Sequence, residues 1–255
     1  MNVTKDKVSS IFFKYSIPSV LGMLAISSAS IVDGYFIGNY VGDLGLAAIN
    51  ISLPIFSLLF GLSLMLAIGG SVTSGKLIGE KDIKNASLIF TKTVICIIGF
   101  SFITCFLLFI NIETILYLLG STDDLIKISM EYMSILLIFL PFLMIGIVLD
   151  YFVRVDNRPN LAFIALLSSA VVHVLLDWIL IVHLEKGIFG AALATGISEL
   201  VLIIILLPHF FSEKGSLKFV KPIGNFIQII KAAYNGASDF VNEISVGITM
   251  LIFNY

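Results

Sequence analysis

Six stretches of almost purely apolar residues, each about twenty residues long, constrain this chain more than any other feature. They run Tyr15–Ile37, Leu46–Ile68, Leu88–Ile110, Tyr132–Val153, Leu161–Val182 and Ile188–Leu207, with short polar segments between them. A helix rises about 1.5 Å per residue, so each run matches the roughly 30 Å hydrocarbon core of a bilayer. Strands do not fit, because the runs are too long and do not alternate with a period of two. Charged residues make up only 13% of the chain, about half of what a soluble domain carries. The first run is too long for a cleaved signal peptide and lacks a small-residue cleavage site.

The expected fold is an all-α integral membrane protein, a six-helix transmembrane bundle with part of a seventh helix. Residues 1–14 read as a tail, 15–207 as the membrane lobe and 208–236 as a polar linker. Residues 237–255 read as the start of the seventh helix, and Asp239 and Glu243 fall near its polar end.

Lysine and arginine set the expected orientation. With the N-terminus inside, the inner segments carry Lys5, Lys7 and Lys14; Lys76, Lys81 and Lys84; Arg154 and Arg158; and Lys214, Lys218, Lys221 and Lys231. The outer segments carry only Lys127 and Lys186, while Lys92 lies near the inner end of the third span. Twelve against two is a strong positive-inside asymmetry, which predicts a multi-pass protein of the cell membrane with a cytoplasmic N-terminus.

Two sequence features read as structural. Cys96 and Cys105 are nine residues apart on one helix, about 13.5 Å along its axis, too far for a mutual disulfide. Residues 70–77, GSVTSGKL, nearly fit a phosphate-binding loop, but Leu77 stands where a magnesium-holding Ser or Thr is required. A membrane helix also precedes them where a strand is needed. Neither a nucleotide nor a nucleic acid is an expected partner, and the bilayer is.

The residues that demand explanation are the polar ones inside the spans: Asp33, His173, Asp177 and Glu199. Such residues usually face a bundle interior or an aqueous cavity and mark ion or substrate pathways. Asp33 lies roughly 10 Å, and Asp177 roughly 8 Å, from their span centres toward the same side, so the two carboxylates share a height. His173 is one turn below Asp177 on the same helix face. Glu199 falls near the middle of the sixth span. Each could instead tie two helices together by hydrogen bonds, and His173 could simply donate to Asp177. His183 and His209 sit at span ends and read as interfacial. Small residues open the sixth span, with Gly190 and Ala194, and Ala192 and Gly196, each four apart, which permits close helix packing. Pro54 and Pro141 each remove a backbone donor within a span and are expected to bend it.

Five segments in order carry a family resemblance: IVDGYFIGNYVGDLGLAAINISLPI (31–55), GGSVTSGKLIGEKD (69–82), RVDNRPNLAF (154–163), HVLLDWILI (173–181) and GIFGAALATGISE (187–199). Together they resemble the multidrug and toxic compound extrusion (MATE) family. The resemblance implies twelve helices in two six-helix lobes that rock to alternate access, of which this chain is similar to the first lobe and the start of the second. It also implies a cation-coupled antiporter, driven by protons or sodium, that exports small organic and often cationic compounds. No organic cofactor is expected, only the coupling ion. An acid in the first helix matches Asp33, and an Asn-x-x-x-Asp pattern in the fifth matches His173 and Asp177, with His where Asn is usual. Position 199, often Gln in the family, is Glu here, so Asp33, His173, Asp177 and Glu199 are the candidate cavity residues, with Asp33 and Asp177 the candidate sodium ligands.

A two-lobe transporter would need about 190 more residues, at roughly 30 per span and loop, and the second lobe is expected to be necessary for transport. Two rival readings remain open. One is a related flippase for lipid-linked sugars, which would want a strongly cationic cavity where these spans offer acids. The other is a non-transporting truncated product or assembly partner. With no metal-ligand cluster and no nucleophile paired to a base, an enzyme is not expected.

Overall fold

In a computed structural model, residues 7–254 are described and are overwhelmingly helical, with no strand among them. Nine α-helices follow one another among the described residues: α1 (Val8–Tyr40), α2 (Asp43–Gly79), α3 (Ile83–Ile110), α4 (Ile112–Leu118), α5 (Ile126–Val155), α6 (Pro159–Asp177), α7 (Gly187–Leu206), α8 (Ile227–Ala233) and α9 (Ala237–Phe253). Lys5 lies outside the described residues.

Six helices among the described residues are long and apolar enough to cross a membrane: α1, α2, α3, α5, α6 with its continuation to His183, and α7 with its continuation to Phe211. They correspond one to one with the six apolar runs. Several outlast the hydrocarbon thickness. The second apolar run ends at Ile68, yet α2 continues to Gly79, because a helix keeps its own hydrogen bonds where water takes over from lipid. Residues 70–77 are therefore continuous helix rather than a loop between a strand and a helix. Pro54 in α2 and Pro141 in α5 also sit inside unbroken helices, as does Pro18 in α1.

Helix α5 is the axis of the bundle, packed against α2, α3 and α7. Its buried side chains include Leu136, Leu140, Met144, Val148 and Phe152. Helix α1 leans mainly on α6, and α9 runs along α2. Within lipid the apolar surface itself gives helices little reason to associate, so close backbone approach matters. Small residues supply it. A Cβ on Gly22 would stand 2.8 Å from Leu166 of α6, one on Gly146 2.9 Å from Leu202 of α7, and one on Gly61 2.8 Å from Glu243 of α9. Gly196, one of the packing glycines expected from the sequence, sits against the ring of Phe139. At the turn between α2 and α3, Lys81 adopts a positive φ of 65°. Asp82 then caps α3, accepting from Asn85 N at 3.2 Å and Asn85 Nδ2 at 2.6 Å. Those bonds hold its carboxyl below the usual range. The cap is therefore fully present above the ordinary aspartate pKa and is lost as pH falls through the lowered value.

The polar linker is strapped onto the lobe. Asp156, buried just after α5, contacts His209 Nε2 at 2.8 Å and accepts from Ser216 N at 2.8 Å and Leu217 N at 3.3 Å. Further along, Lys218 N donates to Ser87 Oγ at 3.2 Å and Val220 N to Thr91 Oγ1 at 3.0 Å. Lys92 Nζ donates to the Asn225 carbonyl at 2.8 Å. Leu217 is fully buried, and Phe219 joins an aromatic cluster in which Phe90 stacks on Phe210 at 4.3 Å. His209, at the end of its span, is buried in the protein against Asp156.

Candidate functional site

Two helices bring the candidate acids together. Asp33 projects from α1, while His173 and Asp177 come from α6, one turn apart. One ligand atom from each of the three lies within 4.8 Å of the other two. The matched heights read from helix rise thus become a real cluster, because α1 and α6 pack side by side.

The cluster has unmet hydrogen-bonding capacity. Asp177 is completely buried, and neither of its carboxylate oxygens has a hydrogen-bond partner among the described residues. Asp33 Oδ1 is buried and unpartnered as well. His173 Nε2 is 3.6 Å from Asp177 Oδ2, beyond hydrogen-bond range. A helix tie would place a donor on these oxygens, and the described residues provide none. Orphaned buried acceptors are costly, so a site that keeps three of them together has the donor set of a cation site.

Where the chain passes Asp177 its hydrogen-bonding pattern changes. Residues Trp178–His183 form a π-helical turn that continues α6, and Trp178 stacks on His183 with ring centroids 6.2 Å apart. Single π-turns inside α-helices are frequent at functional positions. Here the widened turn directly follows Asp177.

Two further residues belong to the site. Thr195 of α7 contacts His173 Nε2 at 3.2 Å through Oγ1, and its hydroxyl hydrogen is directed to the Ala191 carbonyl at 3.0 Å. With that hydrogen committed, Nε2 is assigned as the donor in the Thr195 contact, which leaves Nδ1 as the acceptor of the neutral imidazole. Tyr132, buried near the start of α5, lies within electrostatic reach of both Asp33 and Asp177. Thr195 is hidden in the sequence because it sits in a run of small residues that reads as packing, and its height, opposite His173, is the one available signal. Glu199 is not brought into the cluster. One turn beyond Thr195 on the same helix face, it lines a small pocket with Phe56, Phe139, Leu143 and Thr195 itself.

Known proteins share this arrangement of helices. The chain is 29% identical over 98% of its length to a multidrug export protein, MepA, of Staphylococcus saprophyticus, and covers 56% of that protein. It is 25% identical to MepA of Staphylococcus aureus over the same share of its length. It thus spans about half the length of the curated relatives it matches. Among solved structures, the MATE multidrug transporter DinF-BH superimposes with a TM-score of 0.91 over 99% of this chain and 57% of that one, at 23% identity. The family model MatE matches residues 18–179, more than half of the chain, including Asp33, His173 and Asp177. The chain is a multi-pass membrane protein and belongs to the MatE family.

Proposed function

We propose that this chain forms the cation-binding lobe of an antiporter that exchanges protons or sodium for organic, preferentially cationic, compounds across the cell membrane. The observation that carries the reading is the trio of buried, unpartnered carboxylate oxygens on Asp33 and Asp177. A proton or sodium ion between those carboxylates removes the cost of burying them, and so does a cationic substrate. Both cannot occupy the same charges, so each weakens the other's binding. When the coupling ion binds one lobe conformation better than the other, that competition becomes exchange. The similarity to proteins named for multidrug export supports the substrate class. A second lobe must face this cavity for access to alternate.

The lysine-rich ends of the helices are assigned to the cytoplasm. In a variant with Cys96 and Cys105 replaced by Ala, cysteines introduced at the exposed Asp123 and Ser216 report the orientation. An impermeant thiol reagent applied to intact cells is expected to label position 123 and spare 216, and the reverse pattern reverses the orientation.

The imidazole separates the two coupling ions. His173→Asn keeps a neutral polar group and removes a proton carrier. If protons drive export through this residue, the variant loses part of the pH dependence of dye efflux. If sodium drives it, sodium-dependent efflux is kept or improved. Efflux in inverted vesicles under imposed proton or sodium gradients distinguishes the outcomes, and an unchanged profile under both removes His173 from the cation path.

A further inference from the structure

Helix α8 and the 3₁₀ turn Tyr234–Gly236 that continues it carry three faces. Ile229, Ala232 and Ala233 are buried, the last two where Gly69 lets the backbones of α2 and α8 meet. A second stripe, Ile227, Ile230 and Tyr234, follows i, i+3, i+7 spacing with 52%, 72% and 82% exposure. Ile223 and Phe226 extend it just ahead of the helix and are also exposed. The third stripe, Gln228, Lys231 and Asn235, repeats the same spacing one step round the helix and faces a cleft of about 450 Å³ between α8, α2 and α3. The opposite walls of that cleft include Leu77, Leu88 and Ile89.

These faces select one kind of ligand. An exposed apolar stripe on a membrane protein's helix is the pattern of an interfacial amphipathic helix. The cleft opens beside it, with apolar walls and a polar edge. Lys231 forms no ion pair among the described residues. A cationic, hydrogen-bonding edge next to an exposed apolar stripe matches a phosphate ester carried on a lipid. A soluble anion would make no use of the apolar walls.

We infer that the cleft between α2, α3 and α8 seats the headgroup of an anionic phospholipid, with the Lys231 ammonium on its phosphate and the acyl chain along Leu77, Leu88 and Ile89. The bound lipid fixes α8, and with it the root of α9, to the membrane surface. This site is separate from the Asp33–His173–Asp177 cluster, and its failure would leave the antiport reading intact.

Native mass spectrometry of the purified, delipidated full chain tests the assignment, with phosphatidylglycerol, phosphatidylcholine and glycerol 3-phosphate as probes. One phosphatidylglycerol per chain is expected to be retained, about fivefold more tightly than in Lys231→Gln. Lys231→Arg and the distant Lys127→Gln are expected to bind as the parent does. Leu88→Trp, which fills the cleft without touching the charge, is expected to lose the lipid while its circular dichroism stays helical. Equal retention of phosphatidylcholine, or parental affinity in Lys231→Gln, overturns the site. Displacement of phosphatidylglycerol by an equal concentration of glycerol 3-phosphate makes it a soluble-phosphate site and overturns the lipid assignment.

Discussion

Replacing Asp177 with Asn is expected to cut gradient-driven export in the complete transporter about 5- to 150-fold while leaving the protein in the membrane in normal amount. The substitution keeps the shape of a fully buried side chain and removes its ionisable group. Because neither Asp177 oxygen has a partner among the described residues, little packing or hydrogen bonding is lost. Removing a buried, unpaired charge can even stabilise a helix bundle. What disappears is the energetic link between coupling ion and substrate, which in coupled systems is typically worth about 5- to 150-fold in affinity. Efflux of a cationic dye, normalised to membrane content by immunoblot, is expected to fall by about that factor under either gradient. Asp33→Asn is expected to behave alike, since both acids belong to one cluster. Export at the parent rate would reduce Asp177 to a helix tie, and loss of the protein from the membrane would mark it as structural.

The largest stability effect is expected at Asp156, far from the cation cluster. Its carboxylate serves His209 and two backbone amides of the linker at once. Asp156→Ala leaves the buried imidazole and both N–H groups without their acceptor, and breaking a buried pair in this way costs about 3–5 kcal/mol. The linker then loses its first anchor, and residues 212–226 are expected to become the preferred site of limited proteolysis. Thermal unfolding in detergent measures the cost. Asp156→Asn, which keeps one acceptor oxygen, is expected to fall between parent and Ala variant. An unchanged midpoint for Asp156→Ala would show that the aromatic cluster around Phe90 holds the strap alone.

What the sequence discloses about this chain follows from the bilayer. Lipid forces backbone groups into helices of fixed rise, so span count and the depth of Asp33 and Asp177 can be read by counting residues. Depth is one coordinate of three. That α7 turns the face carrying Thr195 toward His173, and leaves Glu199 one turn along that face outside the cluster, depends on the rotation and tilt of the helix, which depth does not give. The π-turn after Asp177 is invisible because Trp178–His183 is as apolar as any helical stretch. The linker strap pairs residues more than fifty positions apart, and nothing local in Asp156 or His209 announces the other. Helix ends such as Gly79 escape a hydropathy reading because hydropathy marks where lipid ends, not where the helix does.

The central claim is that Asp33 and Asp177 hold a coupling cation that substrate displaces. Purified complete transporter can be tested for retention of radioactive sodium and, in weakly buffered solution, for proton release when a cationic dye is added. The parent is expected to hold sodium that the dye displaces, or to release protons as the dye binds, and the Asp33→Asn/Asp177→Asn double variant to do neither. A parent that exchanges neither cation for dye, or a double variant that exchanges as the parent does, would contradict the account.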